Sequence, residues 1–149
     1  MNPWNCTFFL LATFTLAGVA QVIWLKSKCL RRCATPIDGG KTFRGRRLFG
    51  ENKTWRGFMV MTPAAGLAFW GLASAIQANH GSPEEAGLWD LSPSMYALLG
   101  LWCGFGFMAG ELPNSFLKRQ LGIKPGEMAG GPISRWALFI LDRCDSILG

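Results

Sequence analysis

Histidine is nearly missing from this chain of 149 residues: only His80 carries an imidazole, and it sits in a polar connector far from the basic motifs. That scarcity removes Ser/His/Asp and Cys/His sets from consideration. Paired cysteines are missing as well. Cys6, Cys29, Cys33, Cys103 and Cys144 form no CxxC. Cys29 and Cys33 stand one helical turn apart, with no further Cys or His nearby to complete a zinc set. The thiols therefore read as small buried hydrophobes rather than as a metal or disulfide framework. Charge is scarce too, at 16% of residues, and lopsided: 15 Lys and Arg against nine Asp and Glu. A duplex-binding protein needs a soluble basic face. Here long apolar runs interrupt the cations, so nucleic acid is excluded as a partner. No internal repeat or low-complexity tract is present.

What the chain has in quantity is apolar surface. Half its residues are hydrophobic, with seven Trp and eleven Phe. Cys6–Leu25 is an almost unbroken apolar run of bilayer-crossing length. Phe58–Ala78 and Pro93–Ala109 are two more, and Ile133–Leu148 is moderately apolar. A secretory signal peptide would place positive charge before its apolar core. Met1–Asn5 has none, and Lys26, Lys28, Arg31 and Arg32 follow the run. This order predicts a retained first span with its N-terminus outside. Trp4 and Trp24 mark its ends at headgroup level. The expected fold is an all-α integral membrane protein of one domain, residues 1–149, with three transmembrane helices and the start of a fourth. Within the third span Gly100/Gly104 and Gly106/Gly110 put small residues four apart, a spacing that admits close helix packing. Every Lys and Arg lies in 26–56 or after 117, and none in the acidic connector 79–94. The positive-inside rule then places both basic segments in the cytoplasm, facing one another at the inner membrane, with the connector outside.

The first basic segment, Pro36–Gly57, reads PIDGGKTFRGRRLFGENKTWRG. Its six cations are Lys41, Arg44, Arg46, Arg47, Lys53 and Arg56, set against Asp38 and Glu51 alone. Glycines among them allow turns in which main-chain N–H groups converge on an anion. Cytoplasmic juxtamembrane loops are commonly basic, and that plain reading stands beside phosphate binding. The cations alternate with Gly, Thr and Asn, however, whereas lipid-surface patches come as Lys/Arg blocks. Gly45-x-x-x-x-Gly50 opens like a P-loop, but Lys53-Thr54 arrives two residues late and no strand precedes it. The second polar segment, Gly110–Gly131, contains Glu111, Asn114, Ser115, Lys118 and Arg119. If helical, Glu111, Asn114/Ser115 and Lys118 share one face, an acid, amide, hydroxyl and ammonium suited to Mg²⁺ and phosphate. A simple pairing of Glu111 with Lys118 or Arg119 is the structural alternative. Asp142 and Asp145, three apart in LDRCDS, would add two hard oxygen ligands, or pair with Arg143 at a helix start.

These segments resemble the CDP-archaeol synthase family, relatives of the phosphatidate cytidylyltransferases. PIDGGKTFRGRRLFGENKTWRGF is similar to that family's first cytoplasmic loop, GELPNSFLKRQLGIKPG to its second, and DRCDSILG to its Asp-x-x-Asp helix start. The resemblance covers nearly the whole chain. It implies an integral membrane nucleotidyltransferase in which a lipid phosphate attacks the α-phosphorus of CTP. Pyrophosphate leaves, with Mg²⁺ bridging the nucleotide phosphates. Position by position it covers Asp38, Lys41, Arg44, Asn52, Lys53, Thr54 and Arg56 in the first loop. In the second it covers Glu111, Asn114, Ser115, Lys118, Arg119 and Lys124, and at the last motif Asp142 and Asp145. Glu111 stands where the family has Asp. The family also has more spans than this chain shows, so a truncated relative that lacks the last spans, or a shorter form whose helices a second copy supplies, is expected.

The resulting assignment gives Mg²⁺ to Glu111, Asp142 and Asp145. It gives the charges of CTP or pyrophosphate to Lys53, Lys118, Arg119 and Lys124, and the lipid phosphate to Arg44, Arg47 and Arg56. Asp38, Lys41, Asn52, Thr54, Asn114 and Ser115 complete the expected binding set, and Asp145 is counted with Lys53, Lys118 and Arg119 as catalytic. A non-catalytic membrane protein that holds anionic lipids through the same cations is the rival reading. A transporter ranks below both, because the spans carry neither a midplane charge nor paired interruptions.

Overall fold

The computed structural model describes residues 1–27 and 34–123. Three long helices dominate: α1 (Pro3–Lys26), α2 (Trp55–His80) and α3 (Pro93–Gln120). Each is long and apolar enough to cross a membrane. The expected fourth span, the Asp142/Asp145 motif and Lys124 lie outside the described residues. The all-α expectation holds, with one small addition. A hairpin of two-residue strands, β1 (Thr42–Phe43) and β2 (Arg46–Arg47), folds within the first basic segment.

The helices resolve into two compact units. The first unites α1 with Met59–Phe105. Asn2 caps α1 by accepting from the Trp4 amide at 3.0 Å, and Pro3 enters the first turn, where its missing N–H costs nothing. One face of α1 is buried through Cys6, Phe9, Thr13 and Ala17, at helical spacing. Phe8, Leu11, Leu16, Val19 and Ile23 stay exposed, as lipid-facing residues must. Thr13 is fully buried, and its hydroxyl is satisfied by the Phe9 and Leu10 carbonyls. Phe9 meets Phe69 edge-on at 5.4 Å between ring centres, and Tyr96 at 5.1 Å. The buried Tyr96 hydroxyl donates to the Trp89 carbonyl at 2.8 Å. The connector after α2 is tied to the chain's start: the Asn2 amide donates to the Gly87 carbonyl, and Asn5 Nδ2 to that of Ala86.

Within this unit the glycines of α3 fit against α2 as their spacing suggests. A Cβ on Gly100 would lie 2.7 Å from the Ala65 carbonyl oxygen, and one on Gly104 would lie 2.8 Å from Ala65 Cβ. Those approaches run antiparallel, since Gly100 reaches Phe69 while Gly104 reaches Met61. Lipid tails are as apolar as leucine, so such helices gain little from hydrophobicity and much from close van der Waals contact.

The second unit comprises, among described residues, 34–58 and 106–123. Here α3 differs from expectation: it runs to Gln120 and does not end at Ala109. Hydropathy falls after Ala109, but Glu111, Leu112, Leu117, Lys118, Arg119 and Gln120 are good helix formers. Pro113 is carried inside the helix. The first basic segment closes on itself. Pro36 bridges Thr54, the Ile37 amide donates to the Lys53 carbonyl, and the Trp55 amide to that of Thr35.

Asp38 organises the interior of this closed segment. Oδ1 accepts from the Gly40 amide and from Arg47 Nη2, each at 2.9 Å, and Oδ2 accepts from the amides of Phe49 and Gly50 at 3.3 and 3.2 Å. These four donors match the acceptor capacity of an ionised carboxylate. Burial pushes the Asp38 pKa up. The Gly40 amide, the Arg47 guanidinium and the Phe49 and Gly50 amides outweigh it, so the group is held below its ordinary value of 3.8.

Two outcomes are expected. Gly100→Ala and Gly104→Ala each destabilise the protein in detergent by about 1–3 kcal/mol, whereas Gly71→Ala, with nothing within 4 Å of its Cβ, is neutral or stabilising; thermal melts decide this. For Asp38, the depressed folded pKa makes its contribution complete above the unfolded value and lost as pH falls through the folded one. Hydrogen exchange at the Phe49 and Gly50 amides should therefore keep its protection down to roughly pH 4 and lose it below. Asp38→Asn should show reduced protection already at neutral pH, by about 2–3 kcal/mol.

Candidate functional site

The second unit brings the two polar segments together. Lys53 leaves the turn closed by its own amide on the Gly50 carbonyl, and its Nζ forms an ion pair with Glu111 Oε2 on α3. The two residues are 58 positions apart. Their side chains keep 22% and 27% of their exposure, so the pair is partly shielded yet open to a ligand. An acid just past an apolar span is costly without a partner, and Lys53 supplies one from outside the helix.

On α3 the turns after Glu111 place Asn114 and Ser115 in buried positions, with 6% and 8% exposure. Lys118 follows one turn later and is half-buried. The predicted face of acid, amide, hydroxyl and ammonium therefore exists on a real helix. Arg119 has a different occupation. Its Nε donates to the Phe49 carbonyl at 3.4 Å, and its Nη1 donates to the carbonyl of Ile123. Gly50 makes room for it: the glycine has φ +91°, and a Cβ there would lie 2.8 Å from Arg119 Nε. The Phe49–Gly50 peptide region is thus gripped twice, its amides by Asp38 and its carbonyl by Arg119.

The remaining first-segment residues sort by surroundings. Arg47 is bound to Asp38 and, at 3.0 Å, to Glu51. Arg56 is buried at the start of α2. Thr54 is half-buried at the bridge to Pro36. Asn52, Lys41 and Arg44 are exposed. The structure adds residues that sequence reasoning left out of the site. Arg46 donates to the Gln120 carbonyl at the end of α3. Phe43 packs near Phe116, with 6.1 Å between ring centres. No local pattern announces either contact, since both join positions more than 70 residues apart.

Eight Lys and Arg face three acids among the described residues of this unit, and Asp38, Glu51 and Glu111 are all ion-paired. The result is a field suited to a polyanion. The described residues hold no cluster of three metal-ligating side chains. Glu111 with the Asn114 and Ser115 oxygens does fit a hard cation in donor type. The other two expected carboxylates, Asp142 and Asp145, lie outside the described residues.

Comparison with known proteins identifies the chain's relatives. The family model described as CarS-like, CDP-archaeol synthase, matches residues 7–143. The CDP-archaeol synthase of Pyrococcus furiosus is 36% identical over 113 residues, covering 74% of this chain and 59% of the relative. That of Halobacterium salinarum is 44% identical over 91 residues, covering 61% of this chain and 48% of the relative. The chain thus spans between half and three fifths of the length of these relatives. A solved structure of an intramembrane enzyme for archaeal membrane lipid biosynthesis shares the fold, with a TM-score of 0.56 and 24% identity over 95% of this chain and 75% of that one. With the matched segment running from the first span to residue 143, the chain belongs to the CarS-like family of CDP-archaeol synthases.

Proposed function

We propose that the protein is a Mg²⁺-dependent CTP:lipid-phosphate cytidylyltransferase of the inner membrane, with its N-terminus outside and both basic segments in the cytoplasm. An oxygen of a lipid phosphate attacks the α-phosphorus of CTP. The bond from the α-phosphorus to the oxygen bridging it to the β-phosphorus breaks, giving a CDP-linked lipid and pyrophosphate. The observation that carries this reading is the Lys53–Glu111 pair, which joins the two family motifs at one place. Membership of the CDP-archaeol synthase family supports the same reaction.

The chemistry asks little of acid–base groups. A phosphate monoester has a second pKa near 6, so the nucleophile is already anionic at neutral pH. No general base is required, in keeping with a chain whose one histidine, His80, lies at the far end of α2 in the other unit. Catalysis then rests on positioning and charge neutralisation. An ammonium has three donors. Glu111 occupies one on Lys53, which aims the remaining two at phosphate oxygens. Lys118 and Lys124 would supply further cations for the triphosphate, and Asn114 and Ser115 neutral donors beside it. Glu111, Asp142 and Asp145 would hold Mg²⁺, which when bound supplies Lewis-acid stabilisation of the charge on the phosphates. Arg119, engaged with two backbone carbonyls, acts by fixing the turn that leads to Lys53.

Purified full chain with CTP, Mg²⁺ and a lipid phosphate is the test, read by pyrophosphate release. Lys53→Ala, Lys118→Ala and Glu111→Gln should each lower turnover by about 100-fold or more. Near-normal turnover in the Lys53 and Lys118 variants would falsify the assignment. CTP should raise the melting temperature of the wild type, and chelation of divalent cations should reduce that rise; indifference to nucleotide would favour a lipid-binding protein without catalysis.

A further inference from the structure

The strained tip of the β1–β2 hairpin has no role in the arrangement above. Phe43 pairs with Arg46 and Thr42 with Arg47, leaving Arg44 and Gly45 as a two-residue turn. Both have positive φ, +53° and +76°, which marks the type I′ class. Glycine, asparagine and aspartate are the usual occupants of the first position. Arginine there bears the steric cost of the left-handed region, and Arg44 is the one non-glycine residue with positive φ among those described. Such strain persists where the surrounding structure holds it and is concentrated at ligand contacts.

The surroundings of Arg44 indicate which ligand. Its guanidinium lies over the Phe43 ring, 5.3 Å from the ring centre. Phe43 is 47% exposed and stands beside Phe116. Leu117 in the last turn of α3 and Leu121 just past its end are two more exposed apolar residues. An exposed cation on an exposed aromatic ring, which itself meets Phe116 of a helix long and apolar enough to cross the bilayer, is a surface with two chemistries. The apolar part suits acyl or isoprenoid chains, and the guanidinium suits a phosphate at their head. The other arginines of the segment are held elsewhere. Arg47 is bound by two carboxylates, Arg46 by the Gln120 carbonyl, and Arg56 is buried.

We propose that Arg44 binds the phosphomonoester of the lipid substrate, with Phe43, Leu117 and Leu121 against the start of its chains. This rests on the reading above and narrows it, giving the lipid phosphate to the hairpin tip and leaving the triphosphate to the Lys53–Glu111 region. Of the three arginines expected at the lipid phosphate, Arg44 alone takes the role.

The test exploits the strain. In purified full chain, Arg44→Gly relieves the turn, so its melting temperature without ligand should rise by roughly 2–4 °C. A dialkylglycerol phosphate should stabilise the wild type, and the concentration needed should increase at least about tenfold in Arg44→Gly. Arg44→Lys should recover part of that loss, and the CTP-induced shift should be the same in all three proteins. The proposal is overturned if the wild type gives no lipid-phosphate shift, or if Arg44→Gly keeps it. It is equally overturned if Arg44→Gly loses the CTP shift instead. An equal wild-type response to inorganic phosphate, or to a phosphodiester lipid, shows an unspecific anion contact and also overturns it. Turnover is scored separately: a chain that binds the lipid phosphate through Arg44 yet forms no CDP-lipid sustains this proposal and defeats the reaction assigned above.

Discussion

A carboxylate just past the apolar run of a membrane helix must find a counter-charge, and Glu111 finds Lys53. Much of the second unit can be understood as what that single requirement imposes. The lysine comes from a segment rich in glycine, whose backbone would otherwise sample many conformations. Delivering its ammonium to one place requires that the segment be shaped from within. Asp38 does this with a buried carboxylate that gathers three backbone amides and one guanidinium, and Arg119 does it from the helix by holding the Phe49 carbonyl. A charge-assisted hydrogen bond is stronger than a neutral one, and here such bonds substitute for the apolar core that a segment this polar lacks.

Cations of the same type consequently have different duties. Arg46, Arg47 and Arg119 use their planar forks to satisfy backbone carbonyls or carboxylates, work that a lysine's compact charge performs poorly. Lys53 is a point charge with donors to spare. The distinction separates arginines that shape the segment from a lysine that keeps donors to spare, although all contribute to the same positive field.

The spans were legible because hydropathy and length are properties of composition. Cys6–Leu25 and Phe58–Ala78 fall inside α1 and α2, and the third run starts at Pro93 as α3 does. The packing role of Gly100 and Gly104 was legible for the same reason, since four-residue spacing is a local pattern. So was the face shared by Glu111, Asn114 and Ser115. The end of α3 was not, because polarity and helicity diverge after Ala109, and a polar helix resembles a loop when only apolar runs are counted. The employment of Asp38 and Arg119 was hidden for a different reason. Each is chemically fit to bind a ligand, and what engages them instead is backbone N–H and C=O, groups that every residue possesses and no sequence distinguishes. The same holds for Arg46, whose partner is the carbonyl of Gln120. Family resemblance marked Asp38 and Arg119 as important without separating scaffold from contact, and it passed over Arg46.

The bridge between Pro36 and Thr54 has a consequence of its own. Because the chain departs and returns at neighbouring points, the turn at Arg44–Gly45 projects from a base that the bridge closes. Lengthening, shortening or recolouring its tip leaves the register of α2 undisturbed. Changes at that tip are therefore open to evolution, and to grafting, without renegotiating how α2 begins.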